Sequence, residues 1–376
     1  WFLFGRVLVM QQRNRVLRLH NFVGILGGLF LVVMGLTGSA IVFHQEIDHA
    51  LNTHLMQVLP QGKPVSIDTF WNSVQTQVPG GRLESIQMPQ TPNETYRFGF
   101  NAKDKTLWEV FVHPYTGKVL GMRQGDRTPV MSFLYNLHHD LAAGNMGLWL
   151  VGFSGIILML QSITGLVLWT GWRKLKNGFR VRWRAPTPLL SFDLHNVGGV
   201  IANFFLLLSG FTGVVIVGAH IVLAPPAEAA KVPQPFAPRI ELSELLRKAD
   251  SAIPKGTTTS IAFPDAQTMV VTKKLPQDHA RFYFSSVTLD GSTGKTLEVN
   301  EVSEPAFMFK FLIPLGDLHF GTFGGLPTRI FYVLVGLMPT VLFVTGLVNW
   351  RRRRSLGAKR ELAIAQAQHP QETSVQ

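Results

Sequence analysis

The 376-residue sequence contains no cysteine. That excludes disulfides, cysteine-ligated zinc, iron–sulfur clusters and thioether attachment of a cofactor. Any prosthetic group in this chain is therefore held noncovalently, by histidine or oxygen ligands. Charge is scarce too, at 15% of residues against 46% hydrophobic. Acidic residues are the scarcer kind, 23 Asp and Glu against 35 Lys and Arg, for a formal net charge of +12. No Walker-type phosphate loop is present, and Gly24-x-x-Gly27-Gly28 lies inside a long apolar run instead of a strand–turn–helix unit. Nucleotide hydrolysis and Rossmann-type binding of NAD(P)H are excluded on that ground.

The positive charge is not spread over a face. It falls into three clusters: Arg6, Arg13, Arg15 and Arg18; Arg173, Lys174, Lys176, Arg180, Arg182 and Arg184; and Arg351 to Arg354 with Lys359 and Arg360. Each abuts a long apolar run, as the positive-inside rule expects of cytoplasmic ends. A nucleic-acid surface interleaves basic with polar and aromatic residues, so no nucleic-acid partner is expected. The lipid bilayer is.

Four runs reach the roughly 20 residues needed to cross a bilayer core: Phe22–Phe43, Leu148–Trp169, Val197–Val222 and Ile330–Trp350. The organisation read from them is a cytoplasmic N-terminus at 1–19, spans at 20–44, 148–172, 195–222 and 330–350, a basic cytoplasmic loop at 173–194 and a cytoplasmic tail at 351–376. Two outer segments, 45–147 and 223–329, complete the chain. The apolar run Trp1–Met10 is too short to span and no small-residue cleavage site follows it, so the first span reads as a retained anchor. In a bacterium this describes a multi-pass inner (cytoplasmic) membrane protein with both termini cytoplasmic.

Two copies of one unit are visible. Aligning His20 with His195 brings Asn21 onto Asn196, Gly24 onto Gly199, Gly35 onto Gly210 and Thr37-Gly38 onto Thr212-Gly213. Aligning His138 with His319 brings Gly155 onto Gly336 and Thr164-Gly165-Leu166-Val167-x-Trp169 onto Thr345-Gly346-Leu347-Val348-x-Trp350. The outer segments repeat as well. Ser66–Val78 and Leu242–Ile253 have amphipathic helical patterns, followed by short alternating strands. A Thr-Gly-Lys hairpin turn recurs at Thr116-Gly117-Lys118 and Thr293-Gly294-Lys295. The expected fold is an all-α four-helix transmembrane bundle with two small α+β periplasmic modules, arranged as a tandem internal repeat.

Leu19-His20-Asn21, the paired Thr-Gly-Lys hairpins, Leu318-His319-Phe320-Gly321-x-Phe323-x-Gly325 and Thr345-Gly346 before a tryptophan–arginine cluster carry a resemblance. Over nearly its whole length the chain resembles the PepSY-associated transmembrane (PepSY-TM) family, within it most closely the inner-membrane ferric-siderophore reductases, including those for ferrioxamine-type xenosiderophores. The resemblance implies PepSY-like outer modules and two noncovalent b-type haems (heme b) in the bundle. It also implies an oxidoreductase that passes electrons outward to a ferric siderophore and releases ferrous iron. Members proposed to modulate peptidases bear the same family name.

The histidines agree with a haem reading on their own chemistry. His20 and His195 open two spans at equivalent heights, where ionisable side chains are costly and usually functional. Two imidazoles opposed across a bundle are what a bis-histidine haem requires, and glycines follow both at helical spacing. For the outer haem the preferred pair is His138 and His319, matched by the repeat; His44 and His220, at the far ends of the first and third spans, are the alternative. The run from His20 to His44 is about 36 Å of helix, more than the roughly 30 Å hydrocarbon core. His138 and His319 come closer only if their segments dip back toward the bilayer, which Gly144, Gly147, Gly321, Gly324 and Gly325 permit.

Arg13, Arg15, Arg18, Arg173 and Arg351 are candidates to pair with haem propionates. His49, His54, His113 and His279 read as surface residues, and His369 as part of a disordered tail; Glu46/Asp48/His49 has the residue types to bind a metal, but a solvated helix end is the commoner reading. Trp71, Tyr96, Trp108 and Tyr115 are candidates to line a substrate cleft. The electron donor is expected to be a cytoplasmic reductant or a quinol. Two other functions are compatible with four spans: a haem-free regulator or chaperone of a periplasmic partner, and a transporter of iron or chelate. Transport counts for less, because Pro339 is the one proline inside a span and no acidic residue lies mid-span.

Overall fold

The computed structural model describes residues 2–223, 236, 238–278, 285–302 and 307–368. Trp1, His279 and His369 lie outside the described residues. The four apolar runs form helices that outlast their apolar stretches: α1 (Phe2–Ile41), α6 (Gly144–Leu168), α8 (Thr187–Leu223) and α11 (Gly325–Gln368). Once nucleated, a helix adds one hydrogen bond per residue regardless of polarity. Residues 2–19 and 351–368 are therefore continuations of α1 and α11, and α8 begins inside the basic 173–194 segment.

These helices form one of two units, comprising residues 1–42, 134–223 and 314–376. Within it α1 packs against α6 and α11, and α8 packs against the same two. Glycines set the closest crossings. A Cβ on Gly35 would lie 2.3 Å from the Gly336 carbonyl oxygen, and one on Gly210 would lie 2.9 Å from that of Gly155. Small residues allow this backbone approach where lipid supplies no hydrophobic drive between helices. Only 11–28% of each span's most apolar stretch is buried within the protein, and Phe22, Leu29, Trp149, Phe204 and Leu334 point outward. Each helix is long and apolar enough to cross a membrane.

The second unit comprises residues 43–133 and 224–313. It contains α2 (His44–Leu51), α3 (Thr53–Met56), α4 (Ile67–Gln75) and α9 (Leu242–Ala252). Its strands are β1 (Arg82–Gln87), β2 (Tyr96–Asn101), β3 (Leu107–Val112), β4 (Val119–Gln124), β5 (Thr257–Ala262), β6 (Thr268–Lys274), β7 (Ser285–Asp290) and β8 (Thr296–Asn300). They make a single antiparallel sheet of order β4-β3-β2-β1-β5-β6-β7-β8. β1 and β5 pair through Ser85↔Ala262 and Ile86↔Ile261, so the two outer segments share one sheet. They also share one apolar core, in which Phe70, Phe98 and Ile86 pack with Leu245, Ile261 and Phe263. Both Thr-Gly-Lys turns close hairpins, with Gly117 at φ +68 and Gly294 at φ +67, a region that favours glycine.

Two polar devices fasten this unit. Asp68 accepts from Ser66 Oγ and from the backbone amides of Leu242 (2.7 Å) and Ser243 at the start of α9. Burial opposes ionisation of Asp68, but its hydrogen bonds from Ser243, Ser66 and Leu242 outweigh that and hold the carboxyl below its ordinary value. Buried Asp48 and Glu109 both pair with Arg123 at 2.8 Å, and Asp48 also accepts from Thr128 N at 2.7 Å. The Glu46/Asp48/His49 stretch is thus no solvated helix end, since Asp48 is committed to a buried ion pair. Tyr96 is likewise a core residue rather than a cleft residue, and Trp71 packs on Phe236 and Phe263. The Tyr115 hydroxyl donates to the Pro92 carbonyl at 2.8 Å.

α5 (Pro129–Asp140) and α10 (Phe307–Phe320) precede α6 and α11, and a 3-10 turn (Thr170–Trp172) and α7 (Leu175–Gly178) follow α6. Gly321, at φ +70 after α10, sits where a Cβ would lie 2.5 Å from the Tyr332 ring. A tight reversal is therefore available there to glycine alone.

Candidate functional site: two opposed histidine pairs

His20 on α1 and His195 on α8 face each other with ring centroids 6.1 Å apart and planes at 88°. His138 on α5 and His319 on α10 face each other at 6.3 Å and 47°. A metal ion about 2 Å from one nitrogen of each ring puts opposed ring centroids about 6 Å apart. Both pairs have that spacing. Among the described residues no group of three or more His, Asp or Glu is placed to share one metal ion; these histidines are arranged in pairs.

The other face of each ring is held by a threonine. His20 Nδ1 lies 2.8 Å from Thr164 Oγ1, His138 Nδ1 3.1 Å from Thr37 Oγ1, His195 Nδ1 3.1 Å from Thr345 Oγ1 and His319 Nδ1 2.9 Å from Thr212 Oγ1. Each hydroxyl donates to the carbonyl one turn back: Thr164 to Leu160 (2.6 Å), Thr37 to Val33 (2.7 Å), Thr345 to Val341 (2.7 Å) and Thr212 to Leu208 (2.8 Å). A hydroxyl whose proton is spent in this way can only accept from imidazole. His138 and His195 make the same point through the carbonyls of Met34 (3.1 Å) and Leu342 (3.0 Å), which have no proton to give. The network therefore assigns the proton to Nδ1 in all four rings and leaves the Nε2 lone pair free for a metal. Such an outer hydrogen bond fixes a ligating imidazole's tautomer and orientation and raises its basicity.

The residue after each threonine is glycine, and it makes room for the ring. A Cβ would approach the Cε1 of His138 to 2.9 Å at Gly38, of His20 to 3.5 Å at Gly165, of His319 to 3.2 Å at Gly213 and of His195 to 3.2 Å at Gly346. Thr-Gly on every span is the signal that the sequence reading used as a marker of the repeat and of the family resemblance, although it names the four residues bonded to the histidines.

A cavity of about 470 Å³ surrounds the first pair, lined by His20, His195, Gly28, Gly199, Leu206 and Gly346 among others. Glycine and leucine line much of it beside the two imidazoles, and Asn21, Asn196, Arg13 and Arg353 add polar groups. The two pairs are separated along α1 by the run from His20 to Thr37, about 25 Å, less than the roughly 30 Å of a hydrocarbon core. The segments carrying His138 and His319 do return onto the bundle.

The remaining candidates fall elsewhere. His220 packs edge-on against His139 at 5.2 Å, and His44 opens α2 in the other unit. His139 also stacks on Tyr135 and lies 3.6 Å from the Asp140 carboxylate. Of the arginines considered for propionates, Arg13 lines the cavity; Arg353, which was not among them, does so too. His54 is exposed, whereas His49 and His113 are half-buried.

Four spanning helices around inward-facing polar pairs define a multi-pass membrane protein. The chain belongs to the PepSY-associated TM region family, which it matches over residues 17–353. It is also similar to Uncharacterized protein PA4219 of Pseudomonas aeruginosa, at 27% identity over 273 residues, covering 60% of this chain and 64% of the length of that relative.

Proposed function

We propose that this protein is a two-haem b-type membrane reductase. In this reading His20 and His195 hold one haem and His138 and His319 the other. The outer sheet unit, built from two PepSY-like modules of a tandem repeat, then presents a ferric siderophore at the periplasmic face of a bacterial inner membrane. The observation that carries it is the fourfold Thr–His arrangement, in which every ring has Nδ1 bonded to a threonine and lies opposite a second imidazole at a centroid spacing that accommodates a metal ion.

Haem bound between two imidazoles supplies reversible one-electron transfer. The chain's own part would be to hold each haem through two histidines, and a haem held in that way would supply electron carriage instead of oxygen chemistry. The substrate takes one electron, Fe(III) becoming Fe(II), and hard oxygen donors hold the less charged ion more weakly. The electron comes from a cytoplasmic reductant or a quinol. Neither half of the chain contributes both ligands of either pair, so each site requires both halves.

The test is haem content across six single variants. His20→Ala and His195→Ala are expected to lose the same single haem, and the double variant no more, since residues acting as a unit are non-additive. His138→Ala and His319→Ala should lose the other haem and abolish reduction of a ferric siderophore by dithionite-reduced protein. His44→Ala and His220→Ala should keep both. Full haem in every variant, or a colourless wild-type preparation from haem-replete cells, would sink the reading.

A further inference from the structure

Arg13 and Arg353 line the cavity that contains His20 and His195. Arg13 precedes His20 on α1 by about two turns, and Arg353 follows Gly346 on α11 by the same distance, roughly 10 Å. Gly346 touches the His195 ring and α1 packs on α11, so the two guanidinium groups stand at one level beyond the pair. They are close enough to repel each other, and Arg352 adds to the repulsion. Among the described residues neither has a carboxylate partner; the ion pairs there go to Arg82, Arg123, Arg127, Arg182, His139, Lys248 and Lys273. Arg13 is held in place by a neutral acceptor, the Leu168 carbonyl, at 3.2 Å.

The internal repeat does not call for these residues. With His20 on His195, Arg13 falls on Pro188; with His319 on His138, Arg353 falls on Trp172. Helix packing common to both halves therefore does not explain them. Two uncompensated cations at one end of an apolar, glycine-walled cavity match a flat ligand with two negative groups on one edge. A guanidinium presents parallel N–H donors that take a carboxylate in a bidentate fork.

We propose that Arg13 and Arg353 form a two-carboxylate clamp for the acidic side arms of the tetrapyrrole held by His20 and His195. The clamp admits that cofactor in one orientation, acidic edge toward the basic end of the bundle. It rests on the haem reading and adds a binding site to it.

Apo full-length protein titrated with haem b and with its dimethyl ester, followed by absorbance, tests the clamp without any enzymatic assay. Wild-type protein is expected to take two equivalents of haem b. Of two equivalents of the ester it should hold one about ten- to a hundredfold more weakly, as expected for losing hydrogen bonds to a charged group. Arg13→Gln/Arg353→Gln protein should bind acid and ester alike at both sites. Arg13→Lys/Arg353→Lys protein, which keeps the charge and the membrane topology signal but not the fork, should discriminate less than wild type. Equal affinity for acid and ester in wild-type protein overturns the clamp and leaves the histidine pairing standing. Discrimination that persists undiminished in the glutamine variant overturns it too. A wild-type chain that takes up neither form overturns the pairing itself.

Discussion

The sheet unit and the helical bundle solve opposite problems with the same amino acids. In the sheet unit, Phe98, Val110, Ile261 and Val287 are fully buried, and the buried charges Asp48 and Glu109 are matched by Arg123. Its interior is closed. The bundle turns most of its large apolar side chains outward and keeps glycine, threonine and histidine inside, around a cavity of about 470 Å³. Close packing stabilises a fold through the contacts it makes, whereas a hollow interior gains stability by binding what fills it. The difference teaches where to look for function. The buried charges Asp48, Glu109 and Lys273 of the sheet unit have partners within it, while His20 and His195 in the bundle border a cavity.

Substitutions at four positions sharpen that contrast. The largest effect is expected in the sheet unit from Arg123→Met, which leaves two carboxylates buried without a counter-charge, at a cost of about 3–5 kcal/mol. Denaturant unfolding should show the loss, and haem content of the folded fraction should not change. The deficit should also depend on pH. Burial raises the Glu109 carboxyl above its ordinary value, with Arg123 pulling the other way. A group raised in the folded state contributes stability below its unfolded pKa and loses it as pH rises through the folded value. The variant should therefore recover as pH falls into the carboxylate range, and a deficit independent of pH would argue against the buried pair.

The next effect belongs to the bundle. Thr164→Val keeps the shape but removes the acceptor of His20 Nδ1–H, so haem affinity at that pair should fall about 10–100-fold while unfolding of the sheet unit stays unchanged. Thr164→Ser should restore it. Thr345→Val should cost less, because His195 keeps the Leu342 carbonyl at 3.0 Å. Equal losses at the two positions would count against the hydrogen-bond account.

The smallest effect is Asp68→Asn, which weakens the tie to the first amides of α9 by about 1 kcal/mol. Because the Asp68 carboxyl is held low by those bonds in the folded state, its stabilisation is present above the unfolded pKa and lost as pH falls through the folded value. Wild type and variant should converge in acid, read by thermal unfolding of the sheet unit. A gap that persists in acid would remove the charge from the explanation.

Much of the architecture was legible in the sequence because membranes impose simple arithmetic. Apolar runs of sufficient length mark four helices, and Gly117 and Gly294 mark two hairpins. His20/His195 and His138/His319 stood out through their register in a repeat, and the structure brings both pairs together. Periodicity could not reveal that β1 joins β5, since the pairing of edge strands depends on which surfaces meet. Nor could it reveal Asp48, whose partner Arg123 is distant in sequence.

The sequence by itself determined the four long apolar helices, the absence of thioether cofactor attachment and the residue types available as ligands. Each of these follows from local composition and spacing, and local hydrogen bonding or lipid solvation enforces it. Only the tertiary structure decided which nitrogen of each histidine carries the proton. That choice is made by Thr37, Thr164, Thr212 and Thr345 on neighbouring helices, whose own protons are already committed to carbonyls one turn back. A lone pair can be aimed across a bundle only when a second helix holds the ring from behind.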